Sequence, residues 1–229
     1  MKKRKKYMRK TAIQTCKMKG LDDLPKIFES ETIKPSFKMV HVITALIVFK
    51  DKENVDGIGR YRLKKELNLT EGRVKSLLSR AKSQNLIETN SRVKGHILTE
   101  KGRKLLNTLT EKISIPETPK FNYQDIVIGD YGYCCIVKNA ADRVKSGMAQ
   151  RDEAIKIGAS GATCLIYLNN MFQFPNDSQN INPGVQESEL SVDVNNGDVL
   201  VIGTGESSQL ARLGTIAAGL SLLDLFNGN

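Results

Sequence analysis

The stretch "NLTEGRVKSLLSRAKSQNLIE", residues 68–88, decides how this chain is understood. It predicts an amphipathic helix from Thr70 to about Gln84, because Thr70 is a good N-cap and Glu71 suits the positive end of the helix dipole. One face of this helix is apolar and contains Val74, Leu77, Leu78 and Ala81. The opposite face is mostly basic and contains Arg73, Lys75, Ser76, Ser79, Arg80 and Lys82. Such a helix either packs in a helical hairpin or lies in a DNA groove, and its neighbours in the chain distinguish the two.

Two helices are predicted before this one. The stretch "FKMVHVITALIVFKD", which begins at Phe37, has the broad apolar face of a buried helix, and "ENVDGIG" ends it with two glycines. The stretch "RYRLKKELN", residues 60–68, predicts a shorter second helix with Leu63 and Leu67 four residues apart. Leu69 and Thr70 then form the turn into the third helix.

Two short strands are predicted after the third helix, Leu86–Glu88 and His96–Leu98, joined by a loop with Arg92 and Lys94 at its tip. Thr99 then caps a fourth helix. Its inward-facing residues are Leu105, Leu106 and Leu109. The order helix, helix, turn, helix, hairpin, helix predicts a winged helix-turn-helix over residues 37–113. A plain helical hairpin does not account for the basic two-stranded loop.

This part of the chain resembles the winged-helix DNA-binding domains of prokaryotic and archaeal transcriptional regulators. The stretches "LTEGRVKSLLSRAKSQNLIE" and "HILTEKGRKLL" match the recognition-helix and post-wing patterns of that superfamily. The whole chain, including "QRDEAIKIGASGAT" and "GDVLVIGTGESSQLARLGTIAAG", is similar to an archaeal family of winged-helix proteins with an uncharacterised C-terminal domain. The resemblance implies DNA-binding regulation, although winged helices also mediate protein contacts.

Charge divides the chain into unlike parts. Residues 1–19 contain nine Lys and Arg and no Asp or Glu, and residues 37–113 contain seventeen basic against eight acidic residues. Residues 114–229 contain seven basic against thirteen acidic residues. We therefore expect a basic arm and leader (1–36), a polyanion-binding winged domain (37–113), a linker (114–120) stiffened by Pro116 and Pro119, and a second domain (121–229) with another task.

The second domain is predicted to be α+β, with a mostly antiparallel sheet and two helices on one face. Strands are expected at "DIVIG", "CCIVK", "ATCLIYL" and "MFQF", and a long helix at "NAADRVKSGMAQRDEAIKIGA", with Ala141, Val144, Met148 and Ile155 along one stripe. The stretches "SELSVDV" and "VLVIG" predict a hairpin with Asn196 and Gly197 as its turn. A final helix is expected from about Glu206.

The basic residues of the winged domain are the predicted DNA contacts. Glu71, Arg73, Lys75 and Ser76 are expected at base edges, and Arg80 and Lys82 at phosphates. Thr70, which caps this helix, is also among the predicted DNA-binding residues. The second helix is expected to hold the DNA backbone through Arg60, Arg62, Lys64 and Lys65. The wing residues Arg92 and Lys94, and the basic arm, are expected to make minor-groove or phosphate contacts. A solvated helix face with no partner is the alternative interpretation.

A second site is predicted in the C-terminal domain at "VLVIGTGESSQ". We expect a strand, a turn at Gly203 and Gly205, and a helix start whose free amides bind an anion. The predicted ligand contacts are Arg151, Gly203, Thr204, Gly205, Ser207 and Ser208, for a small anionic or polar effector. Glycines that merely permit a tight turn are an equally good explanation.

An enzyme is not expected. The two histidines, His41 and His96, lie in an apolar helix and a wing strand, no nucleophile has an identifiable base, and no cluster has metal-ligand spacing. No cofactor is therefore expected. The sequence predicts a cytoplasmic, non-membrane transcriptional regulator that binds double-stranded DNA as a homodimer and senses an effector or assembles through its second domain. A winged-helix protein-interaction module, and an enzyme carried by the C-terminal domain, stay open as alternatives.

Overall fold

The computed structural model describes residues 21, 23–29, 35–50, 57–91, 95–176 and 181–223. The fold is α+β, as predicted: helices and a two-stranded hairpin come first, and a four-stranded antiparallel sheet with two helices follows. The first part contains α1 (Asp23–Lys26), α2 (Met39–Lys50), α3 (Arg60–Leu67), α4 (Glu71–Ser83), β1 (Ile87–Ser91), β2 (Gly95–Leu98) and α5 (Glu100–Thr110). The second contains β3 (Tyr131–Val137), α6 (Met148–Ile155), β4 (Gly161–Leu168), β5 (Met171–Gln173), β6 (Val199–Gly205) and α7 (Ser208–Leu220).

The order α2, α3, α4, β1, β2, α5 is the element order predicted for a winged helix-turn-helix. Asn68 ends α3 with a left-handed φ of 48°, which turns the chain directly towards α4. Thr70 occupies the N-cap of α4, but its side chain makes no capping hydrogen bond. The Thr99 hydroxyl does cap α5, because it accepts a hydrogen bond from the Gly102 amide at 3.1 Å.

Part of the leader belongs to the core of the first domain. Leu21, Leu24 and Ile27 are each no more than 3% exposed and join the apolar cluster that α2, α4 and α5 form. The sequence predicted only an arm and leader before residue 37, because α1 has four residues and is too short to show helical periodicity. The lysine-rich arm of residues 1–19 lies outside the described residues.

The sheet of the second domain has the strand order β3-β6-β4-β5, with β6 antiparallel to both β3 and β4. α6 and α7 pack against each other and against this sheet, as predicted. A second apolar cluster includes Phe121, Leu165 and Tyr167. Loop residues near positions 126 and 190 pack against it and cover it. Both faces of the sheet are therefore protected from water.

Three elements of this domain differ from the prediction. "DIVIG" is not a strand: a short 3₁₀ turn at Tyr123–Asp125 leads into a loop whose Ile126 and Val127 pack on the second apolar cluster. The long helix predicted over residues 139–159 is interrupted, because Gly147 has a left-handed φ of 76° and becomes the N-cap of the shorter α6. Met148 and Ile155 are consequently 63% and 43% exposed rather than part of an apolar stripe.

The predicted hairpin of "SELSVDV" with "VLVIG" is also wrong. Residues 190–194 form a loop whose Leu190 and Val194 pack on the second cluster, and β6 pairs with β3 and β4 instead. The turn before β6 is held by the buried carboxylate of Asp198. This carboxylate accepts hydrogen bonds from the Asn195 and Asn139 amides, both at 2.9 Å, and pairs with Lys138 at 2.9 Å.

The two domains pack directly on each other. α7 contacts both α2 and α3, and Nη2 of Arg212 lies 2.5 Å from Oε2 of Glu66. The segment between the domains adds to the edge of the sheet, since Ser114 donates its amide to the Ile136 carbonyl at 2.8 Å and Glu117 bridges to Cys134. Within the described part of the chain, no helix has the length and apolar character needed to cross a membrane.

Candidate nucleic-acid interface

α4 presents a face of small residues to solvent. Its buried stripe consists of Val74, Leu77, Leu78 and Ala81. Because successive residues of a helix are about 100° apart, the opposite face is centred on Gly72, Ser76, Ser79 and Ser83. Ser76 is half-buried and the other three are exposed. A Cβ added to Gly72 would meet nothing within 4 Å, so the centre of this face is open and has no large side chain.

Basic residues flank the small-residue face on both sides. Arg73 and Arg80 lie on one flank, and Lys75 and Lys82 lie on the other. Arg73, Lys75 and Lys82 are exposed. Lys82 donates from Nζ to Oγ1 of Thr89 in β1 at 2.5 Å, so the lysine flank adjoins the β1–β2 hairpin.

Arg80, predicted to contact phosphates, makes hydrogen bonds within the fold. One of its guanidinium nitrogens donates to the carbonyls of Ile27 and Glu29, at 3.0 and 2.9 Å. These bonds tie α4 to the leader segment, which the sequence did not place in the domain. Arg80 is thus a structural contact in this geometry, and Arg73 is the arginine of this flank that faces solvent.

Glu71, predicted to reach a base edge, lies beside a basic residue of the second helix. Its Oε1 lies 3.7 Å from Nη1 of Arg60, and the two side chains are 52% and 50% exposed. An ion pair with this much exposure contributes little to stability, so both side chains stay accessible to a partner. Lys64 and Lys65 are exposed on α3, whereas Arg62 borders a cleft between the two domains.

His96 lies within the hairpin, opposite Thr89. Burial and the charges of Lys82 and Arg60 lower the pKa of His96. Its Nδ1 lies 3.4 Å from the hydroxyl of Thr89, which also accepts from Lys82. Arg60 and Lys82 are therefore gathered at the hairpin. The tip residues predicted to contact DNA, Arg92 and Lys94, lie outside the described residues.

His41 has a structural role at the start of α2. The Lys38 amide donates to its Nδ1 at 2.9 Å, a bond that needs an unprotonated ring nitrogen. Burial lowers its pKa to about 4, and the charges of Lys38 and Arg73 act in the same direction. Among the described residues no group of three or more His, Cys, Asp or Glu side chains is arranged to hold a metal ion.

The glycines of the second predicted site lie in a strand rather than in a turn. Gly203, Thr204 and Gly205 are buried in β6, paired with β3 and β4. A Cβ on Gly203 would lie 2.5 Å from the Thr215 amide nitrogen, and one on Gly205 would lie 2.7 Å from that of Ala211. The glycines therefore allow α7 to pack against the backbone of β6, and the turn of the predicted anion site begins only at Glu206.

The other residues of that site have mostly structural contacts. The Thr204 hydroxyl donates to the Ile128 carbonyl at 2.8 Å, and Ser207 caps α7 by accepting from the Leu210 amide at 3.3 Å. Ser208 Oγ lies 3.3 Å from the Tyr133 hydroxyl. Arg151 is exposed on α6, with its stem beside Gly161. Anion binding at this position stays a prediction.

The sequence did not point to the polar residues between the two domains. Arg212 and Glu66 pair there, and Tyr133 and Lys50 border the same cleft. One signal was present: Arg212 is the single charged residue of α7, in the stretch "SQLARLGTIAAGL". A lone arginine in an otherwise uncharged helix indicates a partner on another element.

Two family matches cover most of both domains. Residues 42–104 match the PH0730-like N-terminal domain, and residues 128–222 match a domain of unknown function, DUF4443. The solved structure of the hypothetical protein PH0730 from Pyrococcus horikoshii OT3 is similar to the chain, with 29% sequence identity and a TM-score of 0.63. The similarity covers 81% of this chain and 92% of that one. No curated protein is significantly similar to the chain. The matches relate each domain to a family model, and they carry no described activity.

Proposed function

We propose that this chain is a DNA-binding transcriptional regulator whose α4 enters the major groove. The observation that supports the proposal is the exposed face of α4, where small residues run between an arginine flank and a lysine flank. In this proposal the second domain senses a small molecule, holds a second subunit, or does both.

The small residues would let the helix approach the bases closely. The major groove is about 12 Å wide and a helix with its side chains is about 10–12 Å across, so bulky residues at the centre of the face would hold the helix away from the base edges. Gly72 and three serines leave that space open. Serine hydroxyls both donate and accept hydrogen bonds, which suits them to base edges at short range.

Arg73 is the residue to which we assign base recognition. It lies in the first turn of α4, which is the part of a recognition helix that meets base edges. Its guanidinium can donate two parallel hydrogen bonds to the O6 and N7 atoms of guanine. Lys75 and Lys82, on the other flank, would contact phosphates beside the hairpin. Lys82 makes one hydrogen bond to Thr89, which leaves ammonium hydrogens for a phosphate.

The remaining basic residues would hold the DNA backbone around α4. Arg60, Lys64 and Lys65 belong to α3, which precedes the recognition helix and would cross the backbone. Arg92 and Lys94 at the hairpin tip, together with the basic arm of residues 1–19, would add phosphate or minor-groove contacts. A homodimer would place two α4 helices on two half-sites and so raise affinity for a palindromic operator.

Selection of duplexes from a random library by the full chain tests this proposal. We expect enrichment of a short motif that contains guanine, and we expect Arg73→Ala to abolish the preference for that guanine. Lys145→Ala, which removes an exposed lysine of the second domain, is the matched control and should enrich the same motif. If the wild-type chain enriches no motif and binds no duplex, the chain is not a DNA-binding regulator, and the protein-interaction module becomes the better interpretation.

A further inference from the structure

A cleft of about 390 Å³ lies where the two domains and the linker meet. Its walls come from the end of α2, from α3, from the linker at Ile115 and Pro116, and from β3 and α7 of the second domain. A volume of this size falls within the range of about 300–1,000 Å³ that is typical of small-molecule sites. A ligand in this cleft would contact both domains at once.

The cleft has an excess of positive charge. Lys50, Arg62 and Arg212 border it, and Glu66 is the acidic side chain on its wall. Lys50 donates to the neutral side-chain carbonyl of Asn107 at 3.1 Å and has no acidic partner among the described residues. A singly charged anion would therefore enter a favourable potential.

The guanidinium of Arg212 is only partly used by Glu66. Nη2 lies 2.5 Å from Glu66 Oε2, but the adjacent Nε is buried and has no hydrogen-bond acceptor among the described residues. A carboxylate that binds the Nε and Nη2 edge of an arginine accepts two parallel hydrogen bonds. The pairing with Glu66 gives one of them, so a ligand carboxylate would satisfy this edge more completely after a small displacement of Glu66.

The rest of the cleft is apolar. Ile47, Ile115 and Pro116 contribute hydrocarbon surface, and Tyr133 also lines the cleft. The Tyr133 hydroxyl is directed to Ser208, one turn before Arg212 on α7. A lining of cationic and apolar residues favours a ligand that has both a negative charge and an apolar body.

We propose that this cleft binds a small organic carboxylate with an apolar body, held by the Nε and Nη2 edge of Arg212 in place of Glu66. The effect of this ligand on DNA binding rests on the proposed function. Displacement of Glu66 would loosen α3 from α7, and α3 leads directly into α4. Such a ligand would change how the recognition helix is held against the second domain. Binding in the cleft would thereby alter DNA affinity.

Calorimetric titration of the full chain tests the proposal, with 4-phenylbutyrate as the probe. We expect measurable binding, and binding at least about tenfold weaker for the neutral 4-phenylbutyramide. Arg212→Met should weaken phenylbutyrate binding about tenfold or more, whereas Glu66→Gln should tighten it about threefold, because it removes the competing charge. If the ion pair is only structural, the two variants are not expected to change phenylbutyrate binding in opposite directions.

Further variants keep the test decisive if Arg212→Met does not fold. Arg62→Gln and Lys50→Gln change exposed side chains and should each weaken phenylbutyrate binding about threefold. Lys145→Ala, which lies away from the cleft, should leave phenylbutyrate binding unchanged. The proposal is overturned if phenylbutyrate does not bind, if the amide binds equally well, if inorganic phosphate binds with the same affinity and the same response to the variants, or if Glu66→Gln weakens binding.

The titration needs no DNA, so its result is independent of the proposed function. Duplex affinity is then measured by fluorescence anisotropy with and without phenylbutyrate. Phenylbutyrate binding without any duplex binding would retain the cleft as a ligand site and reject the regulator. Duplex binding without phenylbutyrate binding would reject the cleft and retain the regulator.

Discussion

Arg212 of α7 and Glu66 of α3 form an ion pair across the interface of the two domains, with 2.5 Å between Nη2 and Oε2 and side-chain exposures of 17% and 23%. The pair links α3, which precedes α4, to α7 of the second domain. Residues 146 positions apart in the sequence are thereby brought together. We expect the two domains to unfold as one unit, because the apolar core is also continuous across this interface.

Glu66→Ala should destabilise the protein, because it leaves the charge of Arg212 largely buried without a partner. We expect a loss of about 1–3 kcal/mol in the free energy of unfolding, measured by urea denaturation monitored by circular dichroism. The double variant Glu66→Ala/Arg212→Met should recover part of the loss, since an apolar side chain tolerates the same site. Strict additivity of the two single changes would show that the pair makes no energetic contribution.

Arg73→Ala should weaken specific duplex binding by roughly 1–3 kcal/mol and relax the preference at one base pair. Lys82→Ala should weaken binding to all duplexes alike, because a phosphate contact carries no sequence information. Anisotropy titrations with an enriched duplex and a scrambled one separate these effects. If Arg73→Ala leaves the specific affinity unchanged, the assignment of α4 to the major groove is wrong.

Gly205→Val should destabilise the second domain. The added Cβ would lie 2.7 Å from the Ala211 amide nitrogen, so α7 must move away from β6. We expect a cost of about 1–3 kcal/mol or more in the free energy of unfolding. Gly72→Ala is the control: its Cβ meets nothing within 4 Å, and the change should stabilise α4 by up to about 1 kcal/mol. A fully stable Gly205→Val protein would contradict the packing of α7 on β6.

Stability should fall as the pH is lowered from about 6.5 to 4, because the unfolded chain protonates His41 in that range and the folded chain does not. Burial lowers the pKa of His41 from its ordinary value of about 6.5 to about 4 in the folded chain, so the loss is about 3 kcal/mol across the range and is absent above pH 7. His41→Gln retains an acceptor for the Lys38 amide but does not titrate. Urea denaturation at pH 7 and pH 4.5 should show a smaller pH effect in this variant. If the wild-type chain and His41→Gln lose the same stability between pH 7 and pH 4.5, groups other than His41 cause the loss.

Local sequence patterns were sufficient to predict the helices and strands whose bounds depend only on their own residues. The stripe of Val74, Leu77, Leu78 and Ala81 and the N-cap position of Thr70 placed α4 within a residue or two of its observed bounds. The pairing of β1 with β2 and the cap of α5 at Thr99 followed from equally local signals. These elements fix the position of Arg73, Lys75 and Lys82.

Features that depend on distant contacts could not be predicted. Gly203 and Gly205 have the sequence pattern of a turn, and only the approach of α7 shows why they lie inside a strand. Arg80 has the position of a phosphate contact, and only the leader segment shows that it serves the fold. The apolar alternation of residues 190–194 resembles a strand, yet Leu190 and Val194 pack on the second apolar cluster, and both edges of β6 are already paired with β3 and β4.

The salt dependence of duplex binding tests the central claim most directly. For the full chain and a random-sequence duplex we expect log affinity to fall linearly with log salt concentration, because each phosphate contact releases counterions. Lys75→Ala/Lys82→Ala should reduce the magnitude of this slope by about 2, and Lys145→Ala should leave it unchanged. A chain that binds no duplex, or whose slope is the same in the double lysine variant, would contradict the assignment of α4 as the DNA-contacting helix.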